Sequence, residues 1–431
     1  CGCRATTPAD FWVEPRPTLG GPGGAGVHRR PGPDQPGIWT ALFTPIQFLL
    51  PLQVEAIDPA SKESSLGLVV AAGALVALVA SPLAGAFSDR TSSRLGRRRT
   101  WVLWPTVAAA AVLALMGGLT TIGGLTRGWA LAQLTLNASY AAVTALLPDQ
   151  VPVAQRGTVG AVVGAAQPLG VIVGSLIATL VPGDNTAPDG QRLRYLVVLV
   201  VVVLTAVLFV ARMRDPRLDG ERIPEFHLGS FARAFWVSPR EHPDFAWVFV
   251  TRFLVILGTA FVTTYLLYFT RDVLGKTPDE AGDTVAAILQ FYIVALLVSA
   301  LVAGPLSDRI GRVKPFVIGA SLVCAAAIVV LAFARTQGTA TIAAAIMGAG
   351  FGAYTAVDLA LISRVLPSAG DRARDLGIIN IANSLPQVLA PLIASLWITT
   401  LRDSGYDVAY QSLHLAAAVV TVLGAVPVVK V

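Results

Sequence analysis

The sequence predicts an all-α polytopic membrane protein with twelve transmembrane helices in two pseudo-symmetric six-helix bundles. Three observations predict this class: the apolar composition, the spacing of the apolar segments and a repeated loop. Of the 431 residues, 54% are hydrophobic and only 13% are charged, about half the charged fraction of a soluble domain. The mean hydropathy is +0.67, and the apolar runs lack the alternation of a transmembrane barrel. These values exclude a water-soluble protein.

The first half of the chain predicts a tail followed by six membrane helices. Residues 1–36 are rich in Pro and Gly and contain no apolar run, so we expect a disordered tail. The N-terminal bundle, 37–211, contains six apolar segments of about 20 residues, the length that crosses a bilayer. These segments predict helices α1 at 38–57, α2 at 65–87, α3 at 101–119, α4 at 128–147, α5 at 157–181 and α6 at 193–211.

The second half repeats this pattern after a polar interruption. Residues 212–244 are hydrophilic and are predicted to be a cytoplasmic linker. The C-terminal bundle, 245–431, again contains six apolar segments. They predict helices α7 at 245–269, α8 at 284–304, α9 at 314–334, α10 at 338–363, α11 at 376–400 and α12 at 411–429.

The positions of the 32 Lys and Arg residues predict the orientation of these helices. Nineteen of them lie in the linker, in the loops on the same side as the linker and at Lys430, whereas eight lie in the loops on the other side. Because cytoplasmic loops carry the excess of Lys and Arg, we predict that both termini are cytoplasmic. The net charge of +6 is thereby explained by topology, and no nucleic-acid partner is expected.

A loop between α2 and α3 recurs between α8 and α9. The first copy contains Gly85, Asp89 and Arg90, and the second contains Gly304, Asp308 and Arg309 at a constant offset of 219 residues. Each copy continues into a Gly-Arg pair, which is Gly96 and Arg97 in the first and Gly311 and Arg312 in the second. The repeat indicates that one half of the chain is a duplicate of the other.

These paired Gly-x-x-x-Asp-Arg and Gly-Arg loops resemble the signature of the major facilitator superfamily. The extended first copy, with Leu95 before Gly96, resembles the branch of sucrose and glycoside–cation symporters. The resemblance covers roughly residues 38–429 and implies two six-helix bundles with a substrate site between them near the membrane midplane. It also implies a transporter that works by alternating access as a monomer in the cell membrane. The Ala-, Val-, Gly- and Arg-rich composition suits a GC-rich bacterial genome, so we expect a bacterial inner membrane.

The resemblance implies a gating role for the repeated loops. Gly85 and Gly304 lack a side chain and are expected to let a neighbouring helix approach closely. Asp89 and Asp308 are expected to face the positive N-terminal ends of α11 and α5 when the cytoplasmic side is closed.

Two charged residues are predicted to lie inside membrane helices. Arg252 lies in α7 and Asp358 in α10, about 10–12 Å from the cytoplasmic side at 1.5 Å per residue. A charged residue at such depth is a candidate for a functional role, because burying its charge in hydrocarbon costs at least a few kcal/mol. Their equal depth and opposite charge predict an ion pair. This pair is either a site that carries a coupling proton or a structural link between α7 and α10. A further alternative is that Arg252 extends to the cytoplasmic surface.

Uncharged polar side chains recur within the helices and are candidates for contacting a polar, hydroxyl-rich solute. Interhelical hydrogen bonding is the alternative role for each of them. Glu55, at the outer end of α1, is either a solvated helix end or a proton-handling carboxylate. The other candidates are Gln47, Asn137, Tyr140, Gln167, Tyr265, Tyr268, Gln290, Asn380 and Asn383.

The sequence thus predicts a secondary transporter, either a proton- or cation-coupled symporter of a small polar solute such as a sugar or an efflux antiporter for amphipathic compounds. The glycines of α5, including Gly170 and Gly174, predict close helix packing and are loosely similar to an antiporter motif. The four histidines show no metal-ligand spacing, and no catalytic triad or phosphate-binding loop is present. No metal, cofactor or enzymatic activity is expected.

Overall fold

The computed structural model describes residues 36–88, 90–91, 93, 95–150, 156–212, 240, 242–365 and 372–430. Within this part of the chain all twelve predicted helices form. In the first half α1 comprises Pro36–Thr44, a π-helical turn at Pro45–Leu49 and Leu50–Ile57. The other helices there are α2 at Lys62–Ser88, α3 at Arg97–Met116, α4 at Ile122–Gln150, α5 at Arg156–Leu180 and α6 at Arg192–Arg212.

The second half has the same helical content. Here α7 comprises Pro243–Thr264 and Leu266–Asp272, which meet at Tyr265, where φ is −107° and ψ is 17°. The remaining helices are α8 at Pro278–Ile310, α9 at Lys314–Ala332, α10 at Gln337–Val365, α11 at Arg372–Leu401 and α12 at Tyr406–Ala425. Ten helices in the described ranges are long and apolar enough to cross a membrane, and α4 and α5 complete the predicted set of twelve.

The two halves repeat one packing scheme. In the first half α4 packs against α2 and α3, α6 packs against α3, and α1 packs against α5 and α6. The second half has the same neighbours when six is added to every helix number. Between the halves, α2 contacts α11 and α5 contacts α8, which is again one contact and its symmetric counterpart. The predicted pseudo-symmetry of two six-helix bundles is therefore confirmed. Residues 1–35 and most of the predicted linker lie outside the described part.

Glycine permits the close crossing of α1 and α5. A Cβ atom at Gly170 would lie 2.5 Å from Trp39 Cβ, and one at Gly174 would overlap the Thr44 hydroxyl. Side chains at these positions would force the two helices apart. The packing role predicted for the glycines of α5 is thus observed at both of these positions.

The repeated loops lie together at one end of the bundle, which we call the motif end. Gly96 precedes α3 with a φ of 110°, and Gly311 ends α8 with a φ of 69°. Positive φ values explain glycine at both positions, since other residues rarely adopt them. The side chains of Arg309 and Arg312 are exposed, Arg90 Nη1 donates to the Ala86 carbonyl at 2.6 Å, and Arg97 begins α3.

The predicted close helix contact at Gly85 and Gly304 is not observed. No described atom lies within 4 Å of a Cβ built at Gly85, and only Ala356 Cβ, at 3.9 Å, approaches Gly304. Such a contact is expected in the state closed at the motif end, whereas the contacts described below join the halves at the opposite end. Asp89 and the side chain of Asp308 lie outside the described residues, so their gating role stays a prediction.

Candidate functional site

Arg252 and Asp358 form an ion pair inside the second bundle. Arg252 Nη1 donates to Asp358 Oδ2, and Arg252 Nε donates to Asn383 Oδ1 at 2.6 Å. The pair therefore links three helices, α7, α10 and α11. Its position fits the sequence, because α7 and α10 run in opposite directions and place the two charges at equal depth.

The pair is asymmetric in its burial. The Asp358 side chain is 3% exposed, whereas the Arg252 side chain is 20% exposed. Asp358 Oδ1 and the Tyr354 hydroxyl lie close together but, among the described residues, neither forms a hydrogen bond of normal geometry. A buried carboxylate with one unsatisfied oxygen is costly when charged, and a proton on that oxygen removes much of the penalty. Chemically, this arrangement can hold or release one proton.

The first bundle carries uncharged polar groups. Asn137 Nδ2 donates to the backbone oxygen and to Oε1 of Gln133, both at 2.8 Å, within α4. Gln47 lies in the π-helical turn of α1, a type of irregularity that is frequent at functional sites. Its Oε1 is buried and has no partner among the described residues. Tyr140 packs edge-on against Trp39, with ring centroids 5.0 Å apart.

Other predicted site residues lie elsewhere. The hydroxyl of Tyr265 donates to the carbonyl groups of Glu63 and Pro391 at 3.0 and 2.9 Å, and that of Tyr268 donates to the Pro51 carbonyl at 3.0 Å. Both tyrosines are fully buried and join the two bundles, so in this conformation their hydroxyls are not available to a solute. Gln167 and Gln290 are exposed, and the Asn380 side chain lies outside the described residues.

Five charged residues form a cluster at the end opposite the motif end. We call Glu55, Lys62, Glu63, Arg271 and Asp272 the latch. Arg271 Nη2 donates to Glu55 Oε1 at 2.9 Å, and Lys62 Nζ donates to Asp272 Oδ1 at 2.6 Å and to Glu55 Oε1 at 3.3 Å. Glu55, Lys62 and Glu63 belong to the first bundle, whereas Arg271 and Asp272 belong to the second. In the described part of the chain, the ion pairs that cross between the bundles all lie in this latch.

Hydrogen bonds between a charged and a neutral group reinforce closure at the latch end. Arg402 Nη1 donates to the Ala60 carbonyl at 2.8 Å, and Asn185 Nδ2 donates to Asp279 Oδ1 at 3.0 Å. Arg194 Nη1 holds the Asn185 side chain by donating to its Oδ1 at 2.6 Å. The two bundles are therefore joined at this end by ion pairs and by further hydrogen bonds from several loops.

Burial changes the proton affinity of the latch. Removal from water raises the pKa of Asp272 from its ordinary 3.8 to about 6, even though the adjacent Lys62 ammonium lowers it. The nearby carboxylates Glu63 and Glu55 raise it further. The sequence identified Glu55 as a candidate but not the other four residues of the latch, because charged residues at helix ends are usually exposed to water.

A bundle of two pseudo-symmetric halves, joined at one end around buried charges, is the architecture of a polytopic membrane transporter. A family model for MFS/sugar transport proteins matches residues 62–401, and the chain belongs to this family within the major facilitator superfamily. The predicted superfamily is thus confirmed, and the protein is a transporter rather than an enzyme. No protein of curated function matches the sequence.

Solved structures of transporters share this fold. A structure of the nucleoside transporter NupG superposes with a TM-score of 0.69 at 12% identity, covering 92% of this chain and 99% of that chain. An inward-facing, occupied structure of a bacterial homologue of the human lysosomal transporter Spinster gives 0.69 at 12% identity, covering 92% and 94%. The human organic anion transporter MFSD10 gives 0.65 at 16% identity, covering 91% and 97%. At these identities the likeness shows the fold.

Proposed function

We propose that the protein is a secondary active symporter that moves a small polar solute, such as a sugar, together with a proton by alternating access. The distribution of Lys and Arg supports a cytoplasmic motif end with both termini on that side. With this orientation the latch is extracellular, and the structure represents a conformation closed to the outside. The transporter works as a monomer in the cell membrane.

The buried Asp358 carboxylate carries this proposal. Its Oδ2 accepts from Arg252 and its Oδ1 forms no hydrogen bond of normal geometry among the described residues, so protonation changes the charge that faces Arg252. In the charged state Arg252 is held by Asp358, and in the protonated state its donors are freer to bind solute oxygens. Proton binding and solute binding are thereby coupled through one guanidinium group, whose side chain is 20% exposed.

The polar groups inside the two bundles favour a neutral, hydroxyl-rich solute. The second bundle offers the amide of Asn383 and the guanidinium of Arg252, and the first offers Gln47 and the Asn137–Gln133 pair. Amides both donate and accept hydrogen bonds, which suits sugar hydroxyls. The family's description as sugar transport proteins supports the same solute class.

Proteoliposome uptake tests the proposal. Vesicles containing the purified protein are given an inward proton gradient and radiolabelled disaccharides, with and without a protonophore. We expect gradient-stimulated uptake by wild type and its loss in Asp358→Asn, which keeps the shape of the side chain without its charge. Asp244→Asn, at an exposed acidic residue in the first turn of α7, is the matched control and should retain uptake.

Two results would contradict the proposal. Full gradient-stimulated uptake by Asp358→Asn would remove Asp358 from the coupling step and leave it a structural link. Gradient-driven movement of amphipathic dyes without uptake of any disaccharide would favour the efflux alternative instead.

A further inference from the structure

The latch contains an uneven number of opposite charges. Arg271 and Lys62 both donate to Glu55, and Lys62 also donates to Asp272. The two cations are therefore fully engaged by two carboxylates. Glu63, the third carboxylate, is left without a cation in the latch.

Glu63 is buried by the second bundle. It is 1% exposed, and neither carboxylate oxygen has a hydrogen-bond partner among the described residues. The Tyr265 hydroxyl covers its backbone carbonyl at 3.0 Å. Because Tyr265 belongs to α7, separation of the bundles at this end would return Glu63 to water. Its burial is therefore a property of the closed conformation.

Among the described residues, the other groups that face Glu63 and Asp272 form no ion pair with either carboxylate. Tyr268 and Tyr410 lie within electrostatic range of both carboxylates, and Tyr410 also donates to Asp272 Oδ2 at 3.4 Å. Tyr406 lies close to Glu63 without a hydrogen bond of normal geometry, and Arg402 lies close to Tyr406. Phenol groups can donate to a carboxylate but do not neutralise it. His414, whose ring packs against Tyr410, is fully buried.

We propose that the latch binds one proton when the two bundles close at its end, because Glu63 is a buried third carboxylate beside two cations. With the proton bound, the three negative charges of the carboxylates are balanced by two cations and one proton. The pKa of Asp272, raised to about 6 by burial and further by the neighbouring carboxylates Glu63 and Glu55, supports the proposal, because the closed cluster resists a further negative charge. The inference rests on the proposed alternating-access function, since the latch must also open.

A metal ion fits this site less well than a proton. A bound metal needs several carboxylate oxygens around one point, and the described residues contain no group of three or more acidic, His or Cys side chains so arranged. The Lys62 ammonium and the Arg271 guanidinium, both within the latch, also repel a bound metal cation. A single proton on a buried, unpartnered oxygen requires neither convergence nor extra ligands.

The coupling between proton binding and closure of the bundles determines how closure depends on pH. The closed latch binds a proton that the open latch, with its carboxylates in water, binds more weakly. Low pH therefore favours closure, and closure is lost as the pH rises through the range in which the closed latch releases its proton. One proton gives a change of at most about tenfold in the closed-to-open ratio per pH unit.

Distances between spin labels test this inference without a transported solute. Labels are attached to Ser61→Cys and Ser404→Cys, two exposed positions at the latch end of opposite bundles, after replacement of Cys1, Cys3 and Cys324 by Ser. Double electron–electron resonance is recorded in lipid nanodiscs from pH 5 to pH 8. We expect the short-distance population to fall as the pH rises, and Glu63→Gln, which removes the excess carboxylate, to weaken this dependence. Asp189→Asn, an exposed acid at the same end, should leave it unchanged.

Lys62→Met provides a second, opposite variant. It leaves three carboxylates with one cation, so closure should need a lower pH than in wild type. A wild-type distance distribution that is independent of pH, or equal loss of the dependence in Asp189→Asn, would overturn the proton site while leaving alternating access intact. A single short distance at every pH in every variant would overturn alternating access, and this inference with it.

Discussion

Lys62 and Asp272 are joined by a 2.6 Å ion pair although 210 residues separate them in the chain. Lys62 begins α2 in the first bundle, and Asp272 ends α7 in the second. Because the Lys62 ammonium also contacts Glu55, one side chain connects both bundles to the remainder of the latch. The conformation of the whole transporter is therefore linked to a small set of charges.

Gly67→Ala should destabilise the conformation closed at the latch end. A Cβ atom at this position would lie 2.9 Å from Ser395 Cβ and 2.9 Å from the Tyr265 hydroxyl, both in the second bundle. The labelled pair at Ser61 and Ser404 should show a larger long-distance population in this variant. Gly319→Ala, in α9 and without a described neighbour within 4 Å of its Cβ position, serves as the control. Equal distance distributions in both variants would show that α2 does not set closure.

Asp272 should make stability depend on pH in the reverse of the usual acidic direction. Its pKa is raised from 3.8 to about 6, so the folded, closed state binds its proton more tightly than the unfolded chain. The stabilisation is present below about pH 4 and is lost as the pH rises through 6, and it amounts to at most about 3 kcal/mol. Thermal unfolding in detergent, compared between wild type and Asp272→Asn across pH 4–7, measures it. A difference that does not vary with pH would contradict the shift.

Variants of the Arg252–Asp358 pair should affect thermal stability and transport differently. Arg252→Met leaves a buried carboxylate uncompensated, which costs about 3–5 kcal/mol. Adding Asp358→Asn removes that charge, so the double variant should regain most of the lost Tm while remaining inactive in gradient-driven uptake. Arg252→Lys should also lose uptake, because a single ammonium does not reproduce the two-nitrogen contact with Asp358 and Asn383. Recovery of uptake in the double variant would assign the pair a purely structural role.

Asp89→Asn should shift the conformational equilibrium without changing solute contacts. The resemblance of its loop to the superfamily signature implies that the carboxylate stabilises the state closed at the motif end, through the N-terminal end of α11. Cysteine probes placed at the motif end should therefore become more accessible in the variant. Unchanged accessibility would contradict a gating role for Asp89.

The number and type of helices could be predicted because the bilayer imposes a length on each apolar run. Helix ends were less accurate where polar residues continue the helix beyond the apolar run. For example, α8 was predicted at 284–304 and is Pro278–Ile310, since Thr277 and Glu280 form a capping box at its start and Gly311 ends it. The break of α7 at Tyr265 has no such sequence signal.

The two charged sites differ in how far the sequence could predict them. Arg252 and Asp358 each interrupt an apolar run of the sequence. The position of each residue along its membrane helix gives its depth in the bilayer, and equal depth with opposite charge predicted the pair. The latch depends instead on how two bundles meet in one conformation. Lys62 and Asp272 lie at helix ends, where charged residues are ordinary, and no local pattern indicates that they are buried against each other.

A cross-link across the latch end tests whether the transporter works by alternating access. Ala60→Cys and Arg402→Cys replace two residues that contact each other across the bundles, in a background without the native cysteines. A short thiol-specific bifunctional reagent should join them and stop gradient-driven uptake of the disaccharide, whereas each single-cysteine variant should keep its uptake after the same treatment. Undiminished uptake by the fully cross-linked protein would contradict the account, because a transporter held closed at one end would still be moving its solute.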